Sequence, residues 1–122
     1  MRILIADDSR AMRMIVVRQL RQAGFEDAEF IEAADGAEAL AKAREHSPNL
    51  IVSDWNMPEV NGLEFLRQLR ASGDDTVFGF VTSEGTPDMI QLARSNGASF
   101  LIAKPFTPET FRDTLNAVGV EL

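Results

Sequence analysis

The sequence of 122 residues contains no cysteine. That removes disulfide frameworks, thiolate catalysis and Cys-ligated zinc, and it implies no compartment through redox chemistry. Its one histidine, His46, cannot build a histidine metal cluster and reads as a surface or capping residue at a helix end. No run approaches the roughly 20 apolar residues of a membrane span, and the opening MRILIADD passes into acid without a signal-peptide region. A soluble, cytoplasmic protein with no membrane partner is expected. Positive charge is also scarce: 12 Lys and Arg stand against 19 Asp and Glu, a net charge of −7 that disfavours nucleic acid as a partner. Neither Gly-x-Gly-x-x-Gly nor Gly-Lys-Ser occurs, so the usual backbone cradles for nucleotide phosphate are missing. There is no low-complexity tract and no linker, and the longest polar loop is Ser72 to Thr76. A chain of this length, 45% hydrophobic, can bury one sizeable core, and residues 1–122 read as a single domain.

What is present is an alternation. Ile3 to Ala6, Ala28 to Ala33, Leu50 to Val52, Val77 to Val81 and Ser99 to Ala103 are strand-like in length and composition. Each is followed by a helical pattern: Met12, Ile15, Val16, Leu20 and Ala23 form one stripe, Ala37, Leu40 and Ala41 a smaller one, and Leu63, Leu66, Leu69 and Phe111, Leu115, Val118 two more. The helix around Met89 to Asn96 is the least patterned. Met14 falls off the core stripe and is expected at the surface. Asp35-x-x-Glu38 has the form of a capping box, Thr86-Pro87 and Thr107-Pro108 place a cap before proline, and Gly24 and Gly97 stand where helices should stop. Asn61-Gly62 reads as a turn. The last helix is expected to run almost to Leu122. Strands apolar throughout need cover on both faces, so the fold class is α/β, a doubly wound (βα)5 with a five-stranded parallel sheet.

In such sheets ligands bind beyond the carboxyl ends of the strands. Those positions hold Asp7-Asp8 after the first strand, Asp54 after the third, Thr82-Ser83 after the fourth and Lys104-Pro105 after the fifth. Any one alone would read as a solvated turn or a cap. Three carboxylates at one sheet edge repel one another unless a hard cation neutralises them, and oxygen ligands without His or Cys point to Mg2+. With Lys104 as a point charge and Thr82 as a hydroxyl donor, the set suits phosphoryl transfer to a carboxylate oxygen of Asp54.

Read together, these residues resemble the receiver domains of bacterial two-component response regulators over the full length, and Asp54-Trp55-Asn56-Met57-Pro58 resembles the chemotaxis type. The resemblance implies a flavodoxin-like fold with strand order 2-1-3-4-5. It implies that Asp54 accepts phosphate from a histidine kinase and that Asp7, Asp8, Asp54 and the backbone carbonyl of Asn56 hold Mg2+. Thr82 and Lys104 would contact the phosphoryl oxygens, and Lys104-Pro105 would be cis. Such a protein assists its own phosphorylation and dephosphorylation without being a turnover enzyme. It signals to a protein target, a flagellar switch or another chemotaxis component, and a phosphatase can act on it. The output face would be formed by the fourth helix, fifth strand and fifth helix, with Arg94, Leu101, Glu109 and Arg112 within it. Trp55, beside Asp54, is expected to report on the site. One departure stands out: Leu101 occupies the place where the family commonly carries an aromatic, while Phe100 should face the other way. A phosphorelay intermediate is the alternative within the family. A Mg2+-dependent phosphatase with an Asp nucleophile would need a substrate-enclosing cap, and a flavin carrier a Ser/Thr/Gly phosphate loop; neither feature occurs.

Overall fold

The computed structural model describes residues 1–120. Five strands, β1 (Arg2–Ala6), β2 (Glu29–Ala33), β3 (Leu50–Ser53), β4 (Val77–Thr82) and β5 (Phe100–Ala103), alternate with five helices, α1 (Arg10–Leu20), α2 (Gly36–His46), α3 (Gly62–Ala71), α4 (Pro87–Ser95) and α5 (Pro108–Ala117). All pairings are parallel and the order is β2-β1-β3-β4-β5, as the resemblance implied.

Side chains alternate across the sheet and divide the core in two. Leu4, Ala6, Ile51, Phe78 and Phe80 face one way and meet Leu40, Phe65, Leu66, Leu69 and Ala93 of α2, α3 and α4. Ile3, Ile5, Val52 and Phe100 face the other way and meet Val16, Leu20, Phe111 and Leu115 of α1 and α5. The central strand β3 is buried throughout, as expected of a strand covered on both faces. The edge strand β2 is not: Glu29 and Glu32 are exposed, because an edge needs less cover.

Other expectations need correction. Ile15 lies off the core stripe of α1, 39% exposed, whereas Val16, Leu20 and Ala23 are buried. α1 then runs into a π-helical turn, Arg21–Phe25, where Gly24 adopts φ 118°. Asp35 caps α2 by accepting from the Glu38 N–H, but Glu38 pairs with Lys42 at 3.0 Å instead of reaching back. The reciprocal box is formed by Thr107 and Thr110. α5 stops at Ala117, with Gly119 at φ 87°, so it is shorter than expected; Glu121 and Leu122 lie outside the described residues. Asn61-Gly62 is no simple turn. Asn61 caps α3, and Gly62 sits where a Cβ would come 2.2 Å from the Asp54 carbonyl oxygen, so only glycine lets α3 start against the third strand end.

At the other end of the sheet, Arg70 closes the base. Its guanidinium donates to the carbonyls of Asp74 at 2.9 Å, Thr76 at 2.7 Å and Gly97 at 2.8 Å. Burial pushes its pKa down, and the charges of Asp74 and Asp75 oppose this.

Candidate functional site

The ladder continues one residue past the strands and thereby fixes two carboxylates. The Asp7 N–H donates to the Ala33 carbonyl at 3.0 Å and the Asp54 N–H to the Ala6 carbonyl at 2.8 Å. Asp7 is buried, with its Oδ1 accepting from the Ser9 N–H at 2.9 Å; Ser9 in turn caps α1. Asp54 is half-buried and its Oδ1 accepts from the Trp55 N–H at 2.8 Å. Asp8 is exposed. One oxygen from each of Asp7, Asp8 and Asp54 lies within 4.8 Å of the others.

This crowding has an electrostatic signature. Burial raises the pKa of Asp7, and the charges of Asp54 and Asp8 add to it, against the Ser9 N–H and Lys104. Burial also raises that of Asp54, with Asp8 adding, while Lys104 and the N–H groups of Trp55 and Asn56 pull it down. Carboxylates whose ionisation is opposed in this way, with oxygen donors only and one of them open to solvent, fit Mg2+, which binds a few carboxylates and keeps several waters.

Lys104 and Thr82 stand on neighbouring strands, joined by the Lys104 N–H donating to the Thr82 carbonyl at 2.8 Å. Thr82 is fully buried, and its Oγ1 accepts from the Glu84 N–H at 3.3 Å. Lys104 makes no ion pair within 4.0 Å among the described residues, yet its charge reaches both Asp7 and Asp54. The Lys104-Pro105 peptide is cis. Trp55 is half-buried, its ring 4.7 Å from that of Phe80, and Asn56 beside it is exposed. Asp7, Asp8, Asp54, Thr82 and Lys104 thus stand at the carboxyl ends of four neighbouring strands, the three carboxylates with oxygens within 4.8 Å of one another.

Farther out, Arg94 and Leu101 line a groove between α4 and α5 of about 430 Å³, with Ile90, Asp113 and Val118; Glu109 and Arg112 lie outside it. Leu101 packs on the Phe80 side of the sheet and Phe100 on the opposite one, as their alternation predicted. A second groove of about 410 Å³ runs from Lys104 over Pro105 and Phe106 to Met12, Ile15 and Gln19 of α1, which accounts for the exposed Ile15. Met14 is exposed, 53%, as expected. His46 contributes its carbonyl to Arg2 and nothing to the site. The residue that sequence reading missed is Arg13, whose Nη1 donates to the Asp7 carbonyl at 2.6 Å. Its signal was an arginine one helical turn beyond the cap residue of an acidic strand end.

Comparison with known proteins agrees with this geometry. Residues 3–116 match the response regulator receiver domain. The chain is 35% identical to the chemotaxis protein CheY1 of Helicobacter pylori over 97% of its own length and 96% of that protein's, and 36% identical to the CheY homologue of Campylobacter jejuni over 97% and 92%. The solved structure of CheY4 from Vibrio cholerae superposes with a TM-score of 0.84 at 39% identity, covering 96% of this chain and 97% of that one. The match over almost the whole chain, in sequence and in strand order, leaves one family: the chain belongs to the response regulator receiver domains.

Proposed function

We propose that the protein is a chemotaxis response regulator that accepts a phosphoryl group on Asp54 from the phospho-histidine of a kinase, and that residues 1–122 act as one receiver unit. The observation that carries this reading is the meeting of three carboxylates within 4.8 Å at strand ends whose neighbours present Thr82 and Lys104. An oxygen of Asp54 attacks phosphorus, the P–N bond breaks, and the imidazole leaves; a mixed anhydride remains on Asp54 until water hydrolyses it. Lys104 balances charge on the phosphoryl oxygens, and the Thr82 hydroxyl, whose oxygen accepts from the Glu84 N–H, donates its own proton to a phosphoryl oxygen. Asp7, Asp8, Asp54 and the Asn56 carbonyl would hold Mg2+, which when bound neutralises the anionic pocket and the incoming phosphate. The chemistry is stoichiometric, so the product is a changed protein surface and not a released metabolite. The groove between α4 and α5 is the surface offered to a downstream protein, for which the chemotaxis relatives favour a flagellar switch component.

Exposure to acetyl phosphate and Mg2+ tests the assignment. Intact mass should show one labile phosphate on the wild type and none on Asp54→Asn, because an amide oxygen is far less nucleophilic. A stable phosphate on Asp54→Asn would place the acceptor elsewhere.

A further inference from the structure

One side chain beside the acidic loop has no part in this chemistry and yet grips the loop's backbone. Arg13 is only 14% exposed in its side chain. Its Nη1 donates to the Asp7 carbonyl at 2.6 Å and its Nε to Glu32 Oε1 at 3.0 Å. Glu32 lies on β2, and its carbonyl accepts from Lys42 Nζ of α2 at 2.5 Å. Three elements therefore meet at this guanidinium, α1, the end of β1 and β2, and Lys42 ties α2 to the backbone of the same Glu32. The Asp7 carboxylate is held separately by the Ser9 N–H. The carboxylate of Asp8 has no hydrogen-bond partner among the described residues, so its direction depends on the peptide that precedes it.

We infer that Arg13 is a positioning residue of the acidic pocket: by holding the Asp7 carbonyl it fixes the plane of the Asp7–Asp8 peptide, and with it the placing of the Asp8 carboxylate beside those of Asp7 and Asp54. The inference rests on the pocket being a divalent-cation site. Two effects of the arginine on Mg2+ have opposite signs, which makes the role measurable. As a bystander charge near the site it repels a cation, and its removal tightens binding. As a positioning group it keeps three oxygens converged, and its removal weakens binding. Lysine preserves the charge but, as a single ammonium, cannot span both Asp7 and Glu32 as the planar fork does.

Titration with MgCl2, followed by calorimetry and by Trp55 fluorescence, decides between them. Arg13→Ala should bind Mg2+ about tenfold more weakly, the usual size of an outer-shell loss, and Arg13→Lys should also fall short of the wild type. In the metal-free protein, amide exchange at Ser9 should accelerate in both variants, since the loop loses its anchor while the thermal midpoint shows the fold intact. Wild-type or tighter Mg2+ affinity in either variant overturns the inference. Should Arg13→Ala fail to fold, Arg13→Lys carries the same test. A wild type that binds no Mg2+ would instead refute the cation reading itself, a result distinguishable from the first.

Discussion

Asp7 illustrates what a single side chain costs here. It is 5% exposed, and burial first, then the neighbouring charges of Asp54 and Asp8, raise its pKa. A carboxyl group whose folded pKa is raised holds its proton more tightly in the folded state than in the unfolded one. Its favourable contribution is therefore complete in acid and is lost as pH rises through the folded value. At neutral pH and without divalent cation, the group therefore works against folding. Asp7→Asn keeps the oxygen that accepts from Ser9 and removes the charge, so it should stabilise the metal-free protein by about 0.5–2 kcal/mol. The gain should shrink as pH falls through the carboxylate range. Urea unfolding at pH 7 and at pH 4 measures both; an equal gain at the two pH values would show that charge is not the cause. The placing of Asp7, Asp8, Asp54, Thr82 and Lys104 at strand ends was legible in the sequence because each closes or follows an apolar run. Arg13 was not, because an arginine on an amphipathic helix reads first as a solvated face, and only coordinates reveal which carbonyl it meets.

Among the elements, β5 depends on an absence of side chain. Gly79 pairs with Phe100, and a Cβ on Gly79 would stand 2.0 Å from the phenylalanine ring, far inside contact distance. Glycine on β4 is thus the seat of an aromatic on β5. Gly79→Ala should destabilise the protein by about 1–3 kcal/mol, as overpacking does, and loosen β5 before the other strands. Denaturant unfolding with strand-resolved hydrogen exchange checks this; unchanged stability would mean that Phe100 moves aside freely. Gly79 is one position where periodicity misleads, since a glycine inside a strand ordinarily weakens it. Periodicity did predict five strands and five helices, because cap residues and apolar spacing are local. It could not order the strands, which is a matter of non-local pairing and came with the family resemblance. It also overran α5 and placed Ile15 in the core, where only the groove of Pro105 and Phe106 explains its exposure.

Across the whole molecule, Leu101 lies between the loop that follows Thr82 and the α4–α5 groove. It is half-buried against the Phe80 side of the core, lines the groove, and approaches within 3.6 Å of where a Gly85 side chain would begin, on the loop after Thr82. A leucine offers only packing to distinguish inward from outward positions, so the two states should be separated by a small gap that a partner can shift. Leu101→Tyr should alter that balance while leaving phosphorylation of Asp54 nearly unchanged. NMR shifts of β5 with and without beryllofluoride report it, and identical behaviour of the two proteins would make residue 101 a bystander. Beneath this responsive edge lies the base closed by Arg70, and its consequence concerns mutational tolerance. The guanidinium meets three carbonyls, and a carbonyl is present whatever side chain its residue bears. As far as these bonds go, positions 74 and 76 can drift in identity without disturbing the closure, whereas position 97 is held to glycine, since its φ is 97° and a Cβ there would come 2.8 Å from Arg70 Nε. Position 70 cannot drift either: one altered codon there withdraws the donor from two separate connections together, and a lysine, with its single ammonium, would restore only part of it.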